Sequence, residues 1–281
     1  MTDNSLPTVL VVTLLAFHFC LFGQVWAEEK KPLWELGAGV AGITVPEYRG
    51  SNRQKEYVLP IPYLVYRGAF LKADRESVRG VFYKTSRVEL NVSANANPPV
   101  GNDSSGAREG MPKLHPTFEI GPVLRWSLLR GAQSDLSLRF PLREVIAVDF
   151  PSTRHVGIVF NPSLVLDRRN FPSQGWSAGL SLGPRFADQS YNRYYYQVDP
   201  RYANSTRPAY SVKGGYGGGQ VMATLSKRFE RTWLGAFVSA DYLSGAVFAN
   251  SPLVEHKTAF MAGIGVSWIF GQSDKMVTVD E

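Results

Sequence analysis

The sequence predicts an all-β fold: a transmembrane antiparallel up-and-down β-barrel of about 12 strands, within a range of roughly 10 to 14, with both termini periplasmic. Three observations predict it. First, residues 257–270 put Phe260, Ala262, Ile264, Val266, Trp268 and Phe270 on one face of an extended strand, and Met261, Gly263, Gly265, Ser267 and Ile269 on the other. Successive side chains of a strand point to opposite faces, so one side is apolar and the other small or polar, as a wall between lipid and a wet lumen requires. Second, beyond residue 27 no apolar stretch approaches the roughly 20 residues of a membrane helix. Third, several alternating segments keep their pattern over the roughly 9–11 residues a membrane strand needs, longer than the ~5–6 usual in a soluble sandwich.

The chain begins with an apolar run, Leu6–Gly23, followed by Val25-Trp26-Ala27 and then Glu28-Glu29-Lys30-Lys31. That order predicts a signal peptide over 1–27, cleaved after Ala27, and delivery to the cell outer membrane. Unusually, Asp3 is the only charged side chain in it. Cys20 is the only cysteine, so the mature chain would hold none, which excludes disulfides and cysteine-based metal sites. Removing Asp3 takes the formal charge from +6 to +7. A basic excess could meet nucleic acid, but no zinc knuckle, helix-turn-helix or dense Lys/Arg cluster supports that partner. Outer-membrane lipid headgroups and murein suit it better.

Strands are predicted near 35–45, 57–66, 69–74, 78–84, 86–96, 114–129, 133–145, 154–168, 175–187, 217–229, 232–243 and 257–270. Val88, Leu90 and Val92 oppose Glu89 and Asn91; Phe118, Ile120, Leu124 and Trp126 oppose Glu119 and Arg125. Leu136, Leu138 and Phe140 oppose Asp135 and Arg139; Val156, Ile158 and Phe160 oppose His155 and Gly157. The same alternation runs through 176–185 and 234–242. Inner turns fall at Arg67-Gly68, Thr85, Arg130–Ala132, Arg168–Gln174 and Glu230-Arg231, and outer loops at 46–56, 75–77, 97–113, 146–153, 188–216 and 244–256. Short turns on one side and long loops on the other are what a barrel with both termini inside produces. Trp34, Tyr57, Tyr66, Trp126, Trp176, Trp233, Tyr242 and Trp268 collect near segment ends, as interfacial girdles do. The barrel is thus assigned to 28–270 and a polar periplasmic tail to 271–281.

Gly265, Trp268 and Phe270 resemble the C-terminal insertion signal of outer-membrane barrels, which implies the barrel assembly machinery as a partner during insertion. Gly263 and the following tail depart from that signal. Tyr48-Arg49-Gly50-Ser51, then Leu59-Pro60-Ile61-Pro62-Tyr63 with Tyr66, Gly68 and Phe70, resembles the N-terminal signature of the MipA/OmpV family of outer-membrane proteins. Tyr195-Tyr196 with Val198, Pro208-Ala209-Tyr210 before Gly214-Gly215, and Ser251-Pro252-Leu253-Val254 match in the family's order. The resemblance implies a monomeric barrel whose relatives scaffold murein (peptidoglycan) synthase and lytic transglycosylase. Other members are described as small porins, so the alternative is a narrow channel for polar or anionic solutes.

No enzyme chemistry is predicted. Only His115, His155 and His256 follow the signal, and none has the Ser and Asp spacing of a triad. His155 is placed on the lumen face beside the outer rim. No His/Asp/Glu cluster has ligand spacing, so no metal and no cofactor is expected. Alternation points Glu89, Glu119, Arg125, Asp135, Arg139, Arg143, Arg185 and Asp241 into the lumen. There they either form a selective ring of charge or cross-link a filled barrel. Pro60 and Pro62 interrupt a strand and mark an edge-like or kinked region near the seam. Tyr48, Gly50, Tyr195, Tyr196, Ser251 and Pro252 are the loop candidates. The Tyr194–Tyr196 run is either an exposed platform or the core of a lid.

Overall fold

The computed structural model describes residues 29–73, 78–97 and 106–279. The expected signal peptide with its cleavage point and Cys20, the loop 75–77, residues 98–105 and the last two tail residues lie outside them. The strands are β1 (Glu29–Pro32), β2 (Trp34–Pro46), β3 (Gln54–Arg67), β4 (Leu71–Ala73), β5 (Val78–Lys84), β6 (Val88–Asn97), β7 (Thr117–Arg130) and β8 (Ser134–Asp149). They continue as β9 (Ser152–Phe160), β10 (Ser163–Arg169), β11 (Trp176–Ala187), β12 (Gly215–Arg228), β13 (Thr232–Tyr242), β14 (Thr258–Gln272) and β15 (Met276–Val279). An α-helix, α1 (Gln189–Tyr196), sits between β11 and β12.

Each strand pairs antiparallel with the next from β2 to β9 and from β10 to β14, β8 also pairs β10 and β9 pairs β11, and β14 pairs back onto β2, closing a ring. β9 and β10 are two segments of one stave, since both lie between β8 and β11, so the wall is a closed 12-strand barrel. The break falls at Asn161-Pro162. The expected strand count therefore holds.

Alternation set the faces as expected. Trp268 and Phe270 are 61% and 62% exposed on the outer face, while Ile269 between them and Asp241 on the neighbouring strand are sealed inside at 3% and 0%. Four expectations need correction. The loop expected at 146–153 is a tight turn, because β8 runs on to Asp149. Val145 pairs with Gly157 and Ile146 with His155, leaving Val156 as an extra bulged residue. A bulge reverses the alternation, so His155 faces outward beside Glu144 (3.1 Å) and Val156 is buried. Tyr57 and Trp233 also point inward: Tyr57 shares the face of buried Tyr63 and Val65, and the Trp233 ring lies 6.2 Å from Tyr63. Residues 114–116 belong to the loop rather than to β7, with Leu114 buried in the loop core.

The prolines of β3 have a geometric cause. Glu47 N–H donates to Arg53 O (3.0 Å), so the odd-numbered residues of β3 bond β2 and the even-numbered ones face the other edge. On that edge β4 pairs only Tyr66 and Arg67. Among the described residues, no strand pairs with the edge from Gln54 to Val65. Pro60 and Pro62 sit there, each removing an N–H that would have no acceptor.

At the short-turn end the seam runs past the barrel. β14 extends to Gln272, and β15 pairs with β1 as a two-stranded ribbon, Lys30 opposite Thr278 and Lys31 opposite Val277. Leu33 N–H to Lys275 O (2.8 Å) and Ser273 N–H to Trp34 O (3.0 Å) join ribbon to wall. The principal apolar core lies at the opposite end, among the long loops.

Candidate functional site

The long loops fold inward over the mouth and pack on inward-facing wall residues. Tyr48, Met111, Leu114, Tyr195, Tyr196, Val198, Val212, Phe248 and Leu253 form one buried cluster with Val145, Ala147, Val159 and Ala187 of the wall. α1 begins where Asp188 Oδ1 accepts from the Tyr191 N–H (2.8 Å), an N-cap that starts the helix at the end of β11. It carries Tyr191, Tyr195 and Tyr196 into the cluster, so the tyrosine run is a lid core and not an exposed platform.

The loop candidates, scattered over more than two hundred positions of sequence, meet here. The Tyr196 ring stacks on Phe248 with centroids 3.7 Å apart, and Tyr48 stands edge-on to Tyr196 at 6.3 Å. Tyr48 Oη donates to Leu253 O (2.8 Å), Tyr196 Oη to Arg49 O (2.9 Å) and Ser251 Oγ to Tyr196 O (2.7 Å). Gly50 takes a φ of 101° that a Cβ would strain, and its carbonyl accepts from the N–H groups of Glu255 and His256. Pro252 lies in the same segment, half-buried. Burial holds the Tyr48, Tyr195 and Tyr196 hydroxyls well above the usual phenol range and lowers the Arg108 guanidinium.

Beneath the lid runs a charged lumen. Arg49 reaches down from the β2–β3 loop to Asp241 of β13 (2.8 Å). Glu119 of β7 is held by Arg143 of β8 (3.6 Å) and Arg185 of β11 (3.3 Å). Arg143 also donates to Ser93 Oγ (3.2 Å). Deeper in, Arg125 meets Asp135 and Arg139 meets Asp167, both at 3.1 Å, and Glu89 lies 3.8 Å from Arg79. Near the short turns, Glu35 of β2 binds Arg67 (2.6 Å) and Arg228 of β12 (2.8 Å). All eight predicted lumen residues therefore point inward in paired positions. Two of the pairs, Glu119–Arg185 and Glu35–Arg228, are chords joining strands three staves apart, and burial makes them costly to break one partner at a time.

Phe248, Glu35 and Arg207 are not among the residues the sequence singles out, while Arg49 stands in the Tyr48–Ser51 motif and Asp167 on the polar face of its strand without a partner assigned to either. Glu35 is open to the same parity argument, since it falls on an inward position. Arg207, which donates to the carbonyls of Ala107 and Glu109 (both 2.8 Å) and so ties two loops together, has no such signal. The insertion-signal residues divide between faces: Trp268 and Phe270 outward, Gly265 inward. Near the rim, a cavity of about 190 Å³ is lined by His115, Asp149, Ser152 and Arg154. His115 Nδ1 is 3.5 Å from Asp149 Oδ1, but that carboxylate is 70% exposed, an open setting unlike a water-excluding catalytic pocket. Among the described residues no cluster of three or more His, Cys, Asp or Glu could hold a metal.

The two ends differ in charge. Among the described residues the short-turn end carries Lys30, Lys31, Arg67, Lys72, Lys84, Arg87, Arg130, Arg168, Arg169, Lys227, Arg228, Arg231 and Lys275, against Glu29, Glu35, Asp135, Glu230 and Asp274. At the long-loop end the two signs are nearly balanced. The chain's basic excess is thus a collar around the short turns.

The family model described as MltA-interacting protein MipA matches residues 38–270. No curated protein matches. Among solved structures, an outer-membrane channel from Pseudomonas putida F1 is similar at 12% identity and TM-score 0.47, covering 88% of this chain and 100% of that one. The NanC porin is similar at 9% identity and TM-score 0.38 (82% and 98% covered), and the outer-membrane phospholipase A of Escherichia coli at 14% and 0.34 (84% and 90% covered).

Proposed function

The chain belongs to the MltA-interacting protein MipA family, and from that premise we propose that it is a non-conducting outer-membrane scaffold for murein synthase and lytic transglycosylase. The observation that carries this reading is the lid. Loops from four connections share one apolar core with the inner wall, so solute passing the mouth would have to separate Tyr196 from Phe248. The chord-like ion pairs beneath support it, because they fill the lumen with side chains that stabilise one another. In this reading the short turns, both termini and the basic collar face the periplasm, the mature chain starts at Glu28, and the barrel is a monomer in the membrane.

Two measurements test it together. Purified protein in planar bilayers should give no stable conductance steps; discrete steps would replace the scaffold by the narrow channel for polar or anionic solutes. Immobilised barrel should retain purified murein synthase and lytic transglycosylase, and failure to retain either removes the scaffold. Proteinase shaving of intact cells checks orientation: cuts belong in the long loops and never at the short turns.

A further inference from the structure

We propose that the lumen sector behind the unpaired edge of β3 holds an acyl chain of a membrane lipid, which enters sideways through the wall. The proposal is independent of the scaffold reading, since a barrel occupied by a hydrocarbon chain is as closed to solute as one filled by side chains.

The wall is incomplete on one side. β3 pairs with β2 along its whole length, yet toward β4 it pairs only through Tyr66 and Arg67. Among the described residues no strand takes the edge from Gln54 to Val65. Pro60 stands opposite Val40 in the middle of β2, so the opening spans mid-wall and continues toward the long loops. Val58, on the outer face beside it, is 78% exposed, more than any other large apolar side chain of a described strand.

Behind the opening the lumen changes character. Leu59 and Ile61 of β3, Ala41 and Ile43 of β2, and Gly263 and Gly265 of β14 face inward. Between Lys55 above and Glu35 below, these strands turn no charge into the lumen. The ion pair of Glu119 with Arg143 lies on the opposite wall, on β7 and β8. Leu59, Ile61, Ile43 and Phe237 keep accessible surface, whereas Glu89, Ser93, Glu119 and Ser137 are buried. Space in this sector is therefore lined by hydrocarbon, as apolar ligand sites are. A Cβ on Gly265 would stand 3.4 Å from both the Ala41 Cβ and the Ile61 Cδ1, an ordinary contact. Glycine there keeps the wall low rather than relieving a clash.

The occupant follows from what the opening faces. The lid closes the mouth, and Tyr63, Val65 and Ile269 with Trp233 form a floor below. The way in that the described residues leave is through the wall, where the surrounding solvent is hydrocarbon. Pro60 and Pro62 offer no N–H to an added strand, so a peptide matches this edge poorly, while an acyl chain needs no hydrogen bonds. Length agrees: Tyr57 to Tyr63 runs about 20 Å at ~3.3 Å per residue, against about 15 Å for half of the hydrocarbon core.

The test uses the mature chain, which keeps no cysteine once residues 1–27 are removed, in liposomes of phospholipid with brominated acyl chains. A bimane label is placed at Ile61→Cys in the apolar sector, at Val58→Cys on the lipid face, and at Ser181→Cys, a half-buried inward position of β11. Bromine quenches on contact. Ile61→Cys should lose its fluorescence as fully as Val58→Cys, and Ser181→Cys should keep it. Adding Leu59→Arg to the Ile61→Cys chain should restore fluorescence to the Ser181→Cys level, because a charge in the sector expels hydrocarbon. Leu59→Gln makes the same test where the arginine variant fails to migrate as folded protein on an unheated gel. Unbrominated lipid A relieves the quenching where the chain comes from the outer leaflet and leaves it where the chain belongs to phospholipid; either supports the site. Quenching at Ile61→Cys no greater than at Ser181→Cys, quenching unmoved by the Leu59 variants, or dimers in detergent with slowed amide exchange at Val58 and Leu64 each overturn the proposal.

Discussion

The ring of Tyr196 lies 3.7 Å from that of Phe248 and within 5° of parallel, joining the end of α1 to the loop between β13 and β14. Both side chains are 1% exposed, and the Tyr196 hydroxyl still reaches the Arg49 carbonyl. The lid is anchored on this stack.

Phe248→Ala should therefore loosen the lid before it harms the wall. Loss of a fully buried aromatic costs about 3–5 kcal/mol. Amide exchange should rise across α1 and residues 243–257 while the strands stay protected. Unchanged exchange in α1 would show that the stack does not hold the helix.

Asp241 has no exposed surface and meets Arg49 at 2.8 Å. Arg49→Ala leaves that carboxylate buried and uncompensated, a loss of roughly 3–5 kcal/mol. Asp241→Asn in the Arg49→Ala background should restore much of it, because the stranded charge is gone. Thermal unfolding of the single and double variants measures the difference; an additive double variant would show that the two side chains are not coupled.

Burial raises the Tyr48, Tyr195 and Tyr196 hydroxyls above their ordinary value. A phenol that stays protonated longer in the folded state favours folding fully below the unfolded value of about 10, and that stability is lost as pH rises beyond it. Lid stability should thus be flat through neutral pH and fall in strong alkali. Tyrosinate absorbance should show a late-titrating class that appears together with increased exchange in α1. Titration of every tyrosine near its ordinary value would contradict the burial.

Trp268 and Phe270 face outward near the end of β14. Phe270→Ala should lower the fraction of chain assembled in the membrane several-fold, read as the fraction that migrates as folded protein on an unheated gel. A variant shortened after Gln272 should still assemble, since β14 is then complete. If the shortened chain fails and Phe270→Ala succeeds, the aromatic pair is not the signal.

Gly235 lies flat beneath the inward Trp233 ring, and a Cβ there would collide with it. Gly235→Ala should displace Trp233 from Tyr63 and cost about 1–3 kcal/mol by overpacking. Trp fluorescence should shift with the loss; an unchanged spectrum and stability would mean the lumen has room to spare.

The wall was legible because its signal is local. Inside against outside follows from a period of two, so Glu89, Glu119, Arg125, Asp135, Arg139, Arg143, Arg185 and Asp241 could be assigned to the lumen from their neighbours alone. Where the reading failed, a single register event intervened: one extra residue at Val156 turned His155 outward, and no local pattern announces a bulge. Tyr57 and Trp233 were misplaced because proximity to a strand end was weighed above parity. The motif fragments around Tyr48, Tyr196 and Ser251 were visible one by one, yet nothing in the spacing said that they touch.

By itself, then, the sequence determined a barrel of about twelve staves, the face that most side chains take and the positions of the short turns, because these depend on residues within a few positions of one another. Only the tertiary structure decided that the loops close over the mouth, that Arg49 finds Asp241, and that the two ends of the chain pair as a ribbon. Those contacts join residues far apart in sequence, and their partners are fixed by how the sheet closes and at what register, which no local stretch encodes.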